Sequence, residues 1–176
     1  MRTISSSGSI LLLLNKLFVE SVRIKRSLLK TYSYKNSFED VVRLKQLSRF
    51  RYGIVDQTSD IKRKVIASLD QVFPEYETLF SDMFGKSSTQ LLLRSPLPED
   101  LLAIDSQKLI ELLNVASSGR LTLEKSTTKV HQLKKLAQDS FGIRVATDVY
   151  KLQIQLLLQH ILLLEEQLKT IENEMS

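Results

Sequence analysis

The chain has 176 residues, 25 Lys and Arg against 20 Asp and Glu, 43% hydrophobic residues, 5 Gly, 3 Pro and no Cys or Trp. That length suits one compact domain or two small lobes, and so few Gly and Pro exclude a turn-rich sandwich or barrel. Lack of Cys excludes a disulfide scaffold, a thiol nucleophile and thiolate metal sites, and 2 His exclude a His-rich zinc centre.

With 32 Leu and so few helix breakers, the expected fold class is all-α. Long helices should flank a small helical subdomain, with a coiled-coil-like helix at the C-terminus. Residues 1–36 read as a leader with a possible helix over 10–30, where Leu14, Leu17, Phe18, Val22, Leu28 and Leu29 lie near helical spacing. Thr31 to Asn36 breaks that pattern. The longest apolar run, Ile10 to Leu14, is far shorter than the ~20 residues of a membrane span. It is also too broken for a signal peptide. The expected setting is a bacterial-type cytoplasm, with no membrane partner.

A long basic helix is predicted over 37–73. Ser37 and Asp40 have capping-box spacing, and Leu44, Leu47, Ile54, Ile61, Val65 and Val72 recur at helical steps. Pro74 ends it. Arg51, Thr58 and Ser68 fall in the same seam and make it leaky, and Gly53 marks a candidate bend.

Residues 74–143 read as short helices. Phe73, Tyr76, Leu79, Phe80, Met83 and Phe84 form one apolar face before Gly85, and Ser88 to Arg94 make a turn or two. Ser95-Pro96-Leu97-Pro98 punctuates the chain before a helix over Glu99 to Ile104. Asp105 is placed to N-cap the next, with Leu109, Leu112 and Leu113 inward and a stop near Ser117-Ser118-Gly119. Leu123 to Ser140 should follow with Val130, Leu133, Leu136 and Ala137 inward. In the last segment, 144–176, Ile154, Leu157, Ile161, Leu164, Leu168, Ile171 and Met175 alternate steps of three and four, a coiled-coil seam. Two outcomes fit that seam: self-association, or packing back on the Leu44 to Val72 helix.

Charge is segregated. Residues 1–40 and 41–73 each carry a net +4, 74–122 carry −3, 123–146 carry +3 and 147–176 carry −3. Basic blocks of this kind suit a polyanion, although on charge alone an ordinary solvated helix surface is the preferred reading. Arg43, Lys45, Arg49 and Arg51 form one cluster, interleaved with Phe50 and Tyr52, and Lys62, Arg63 and Lys64 form another. Rings beside cations can stack on bases; alternatively they pack inward beneath a solvated face.

Catalytic signals are absent. His131 and His160 stand apart with no partner at ligand spacing, and they read as structural or surface residues. Asp56 and Asp60, one turn apart, could face a divalent ion and underlie a metal-dependent nuclease. Asp60 also precedes Lys64 at the favourable ion-pair spacing, and the surface-pair reading is preferred. No phosphate-binding loop, dinucleotide fingerprint or serine-hydrolase elbow occurs. No cofactor or metal is expected.

The order of these marks resembles the DEDD-type insertion-sequence transposases, the "one-ten" group of bacterial mobile elements that act as bridge-RNA-guided recombinases. The similar stretch starts at Val41 and shows a leucine, an R-x-R, a valine, a T-x-x-K-like step and a proline. Here these are Leu47, Arg49 and Arg51, Val55, Thr58 with the offset Ile61-Lys62, and Pro74. Pro96 and Pro98, the SSGR of 117–120, the LKKLAQDSFGI of 133–143 and the Leu-rich last helix continue the series to Ser176.

The resemblance covers about residues 38–176. It implies a piece of a DNA transposase that dimerises and holds DNA or structured RNA. Family members place four metal-binding acids in a RuvC-like domain and a nucleophilic Ser in a following domain. Neither motif is in this sequence, so the expectation is a truncated, inactive fragment with no catalytic residue. The implied nucleic-acid contacts are Arg43, Lys45, Arg49, Arg51, Lys62, Arg63 and Lys64; the implied homo-oligomer seam is Ile154, Leu157, Ile161, Leu164, Leu168 and Ile171. The rival reading is a free-standing helical adaptor that binds a protein partner through that seam.

Overall fold

The computed structural model describes residues 6–117 and 122–175. They are helical, with no strand among them. In order they form α1 (Ser6–Val72), a 3-10 turn (Pro74–Leu79), α2 (Lys86–Arg94), α3 (Pro98–Ala103), α4 (Ser106–Ala116), α5 (Leu123–Asp139) and α6 (Thr147–Met175). Two compact units result. One comprises the chain up to Phe50 with Met175, and the other runs from Arg51 to Glu174.

The backbone of α1 continues without interruption through Thr31 to Asn36, through Ser37 and through Gly53. The expected break and the capping box are therefore not helix ends. No Gly or Pro lies between Gly8 and Gly53, and residues of middling propensity do not stop a helix already propagating. Of the residues assigned to the 10–30 stripe, Leu14, Leu17 and Phe18 lie outside those whose side chains are described. Val22, Leu28 and Leu29 are exposed. Pro74 does end α1: it cannot donate to the helix and instead opens the 3-10 turn.

The core lies in the second unit. Val65, Leu69, Phe73, Tyr76, Leu91, Leu92, Leu101, Leu109, Leu113, Leu133, Ile154 and Leu158 are all shielded from water. Full burial of such a side chain stabilises by roughly 1.5–3 kcal/mol. Amphipathic α5 is its centre, packing on α3, α4 and the 3-10 turn, while α2 packs on α4. Val130, Leu133 and Ala137 point inward as the spacing requires, with Leu136 half-buried.

Caps set the short helices. The Asp105 carboxylate accepts from Gln107 N at 3.0 Å and starts α4, and Pro98 occupies the first turn of α3. Ser117 closes α4, whereas the predicted stop at Ser118-Gly119, and Arg120 with it, lie outside the described residues. Between Leu79 and Gly85 the expected helix gives way to a turn in which Phe84 N donates to the Asp82 carboxylate at 2.9 Å.

Two ties set the direction of α6 against residues 51–72. Arg51 Nε donates to Glu172 Oε1 at 2.9 Å, and Ile143 N, just before α6, donates to Gln71 O at 2.7 Å. The segments therefore run antiparallel. In α1 the buried positions Ile54, Thr58, Ile61, Val65, Ser68 and Val72 follow a four-three alternation, with Leu69 buried beside Ser68. The hydroxyls of Thr58 and Ser68 sit harmlessly there because each donates to the carbonyl one turn back, Ile54 O at 2.8 Å and Lys64 O at 2.9 Å. In α6, Ile154, Leu158, Ile161, Leu164 and Ile171 are buried. Gln155 donates to Leu93 O at 2.8 Å and Lys151 bridges to Asp100 at 2.9 Å, fastening α6 to the ends of α2 and α3.

Candidate nucleic-acid interface

The seven basic residues singled out in the sequence divide between the two units. In the first, Arg43, Lys45 and Arg49 are exposed on α1. Lys45 and Arg49 are four residues apart and share a face. In the second, Lys64 is exposed, but its neighbours are engaged. Arg51 pairs with Glu172, Lys62 Nζ stands 5.0 Å above the ring of Phe84, and Arg63 pairs with Asp60. Arg51, Lys62 and Arg63 are therefore not an open basic row. Their partners come from α6, from the turn before Gly85 and from the preceding helical turn. These contacts are solvent-facing and worth about 1 kcal/mol or less each, so a polyanion could still compete for the cations.

Phe50 and Tyr52 do not pack inward. Each is about 60–66% exposed, on the outer side of α1. Asp60 takes Arg63, three residues on, in place of the expected Lys64. This leaves Asp56 and Asp60 as surface carboxylates, one already neutralised by a cation. His131 and His160 are exposed on α5 and α6. No group of three or more His, Asp or Glu among the described residues could hold a metal ion. No described helix is long and apolar enough to cross a membrane.

A larger basic surface lies further toward the N-terminus. From Lys16 to Phe50 the chain carries nine Lys and Arg against three Asp and Glu, a net +6 that exceeds the charge of the whole protein. Lys16, Arg23, Arg26 and Lys30 follow one another at seven-, three- and four-residue steps, which places them on one arc of α1, and all four are exposed. The corresponding signal in the sequence is the basic balance of residues 1–40. The expected helix over 10–30 already holds all four residues, but it is read there by its apolar stripe and not by its charges.

The proposed oligomer seam is occupied within the chain. Ile154, Ile161, Leu164 and Ile171 are buried in the single chain, and Leu157 and Leu168 are half-buried. The most shielded residue of that turn is Leu158, one position beyond the expected Leu157. Within the single chain this row is therefore turned inward. The outward side of α6 carries Val149, Leu152, Leu156 and Leu163 instead.

Compared with known proteins, the chain matches no family model, no curated protein sequence and no solved structure.

Proposed function

We propose that this chain is a non-catalytic helical module that holds nucleic acid electrostatically, the role implied by its resemblance to the segment of insertion-sequence transposases outside their catalytic domains. The observation that supports this reading is the net charge of +6 over residues 16–50 of α1, where Lys16, Arg23, Arg26 and Lys30 stand exposed on one arc. Cations on one arc of a solvent-facing helix can meet successive phosphates without reading bases, giving sequence-tolerant binding. The cytoplasmic setting expected from the sequence belongs to this proposal. The set of contacts lies in the first unit and is Lys16, Arg23, Arg26, Lys30, Lys45 and Arg49, with Arg43 beside them. Self-association through the α6 seam is left out of it, because that seam is used inside the chain.

Titration of a labelled DNA duplex and a structured RNA tests the reading. With about three or four simultaneous phosphate contacts, fourfold more salt should weaken duplex binding by roughly two orders of magnitude. Charge reversal at Arg23, Arg26 and Lys30 together should remove most of the affinity. Equal binding by wild type and variant, or an affinity indifferent to salt, would leave these residues as a solvated surface.

A further inference from the structure

The second unit carries a cleft of about 930 Å³ that the nucleic-acid reading does not use. Its walls are the length of α2 from Lys86 to Arg94, α4 from Lys108 to Ala116 and α6 from Ile161 to Lys169. Each wall rises about 12 Å, or two turns of helix. The apolar part of the lining is Leu93, Leu112, Ile161 and Leu162, which make its floor, and Val115 at the rim. Val115 is 80% exposed and Leu162 is 39% exposed, so this surface meets water in the isolated chain. Around the floor stand four exposed cations, Lys86, Arg94, Lys108 and Lys169, against two carboxylates, Glu111 and Glu165.

We propose that this cleft docks an acidic amphipathic α-helix of a partner protein. The charge distribution selects that occupant. Lys86 and Arg94 stand at opposite ends of α2, and the other two cations rise from the other two walls. A single-headed anionic amphiphile would meet one end of this pattern and leave the rest without a counter-charge. A helix with carboxylates along both flanks meets all of it, while apolar side chains at i, i+3 or i+4, and i+7 reach the floor. Nucleic acid is the poorer fit. The floor has no group for a phosphate, and the one ring lining it, Phe84, is already covered by Lys62 at 5.0 Å. A second copy of the chain is poorer still. Its acidic stretches are α3 with α4, and α6; the rows at Leu101, Leu109, Leu113, Ile154 and Leu158 are buried in the core, and the exposed row of α6, Val149, Leu152, Leu156 and Leu163, has no carboxylate between Asp148 and Glu165 to meet the cations. The inference is independent of nucleic-acid binding by α1.

The test uses the full chain and two stapled helical peptides of about four turns. One carries leucines at three- and four-residue steps flanked by glutamates, and its twin has lysine at every glutamate. The glutamate peptide should bind and the lysine twin should not. Arg94→Glu with Lys108→Glu should weaken the glutamate peptide at least about tenfold and let the lysine twin bind. Val115→Asp, at a position too exposed to disturb folding, should also weaken it, whereas Lys135→Glu on the outer side of α5 should not. Melting of each variant by circular dichroism checks that it is folded.

Four results would overturn the proposal: no binding at about 1 mM glutamate peptide, equal binding of both peptides, indifference to Val115→Asp, or displacement of the peptide by dodecanoate or a DNA duplex as readily as by unlabelled peptide.

Discussion

A β-carbon placed on Gly142 would lie 2.1 Å from the carbonyl oxygen of Val72. The chain leading into α6 runs directly against the last residue of α1, and Ile143 N donates to Gln71 O at 2.7 Å in the same crossing. What Gly142 supplies is space, since its backbone is not in the left-handed region. The obstructing atoms belong to backbone, which cannot turn aside as a side chain would. Gly142→Ala should therefore destabilise the second unit by about 1–3 kcal/mol. A fall in urea midpoint with unchanged slope would show it, and an unaltered midpoint would mean that the crossing is loose.

Gly53 presents the opposite case. It lies within α1, is exposed, and has nothing within 4 Å of the place a β-carbon would take. Gly53→Ala should stabilise by roughly 1 kcal/mol through helix propensity alone. Ala146, with φ 55°, is the complementary site, a left-handed residue just ahead of α6. There Ala146→Gly should leave stability unchanged or raise it by up to about 1 kcal/mol, despite the usual entropic cost of glycine. Thermal melts of the two single variants and of the pair would check both signs.

Among the described residues, Tyr76 is the most deeply placed polar ring. Its hydroxyl lies 2.9 Å from Ser88 Oγ and donates to Ser88 O at 3.3 Å. Its ring meets Phe73 edge-on at 5.6 Å. Burial pushes the phenol well above its ordinary range, partly offset by the Ser88 hydrogen bond. An acid whose folded pKa is raised favours the folded state while it is neutral. Above about pH 10, the ordinary phenol value, unfolding releases a proton, so stability should fall as pH rises. Tyr76→Phe should flatten that alkaline decline. At neutral pH it should cost about 1–3 kcal/mol, because Ser88 loses its partner. Urea midpoints from pH 7 to 11 for both proteins would decide it.

Much of the fold is legible in the residues themselves. Pro74 ends α1, a short helix follows the punctuation of residues 95–98 (starting one residue early, at Pro98), Asp105 caps α4, and Val130, Leu133 and Ala137 face inward. These signals are local, acting within one helical turn. The errors lie where local signals are too weak or the decisive contact is distant. Thr31 to Asn36 contains no true breaker, so composition alone cannot end α1 there. Within Leu156-Leu157-Leu158, three adjacent leucines fit a three-four pattern almost equally well, and only the position of neighbouring helices selects Leu158. The engagement of Arg51 depends on Glu172, 121 residues away. The cleft between α2, α4 and α6 is likewise invisible in the sequence, because its cations are scattered from Lys86 to Lys169 along the chain.

The packing of α6 gives the sharpest test of the structure against a two-chain coiled coil. Leu158 is fully buried and Leu157 half-buried, although each could occupy a seam by spacing. If the single chain supplies the packing, Leu158→Ala should cost about 2–5 kcal/mol and Leu157→Ala clearly less. Neither cost should depend on protein concentration, since no partner is lost. Ile161→Lys should act in the same way but more severely. Ile161 is 2% exposed, and an ammonium placed there must be desolvated. The second unit should then lose cooperative unfolding. An intermolecular seam makes the reverse prediction: Leu157→Ala would be the costlier change, stability would rise with concentration, and Ile161→Lys would yield a folded chain of lower mass in sedimentation. Denaturation at two concentrations, with sedimentation of wild type and Ile161→Lys, separates the two, because only a shared interface obeys mass action.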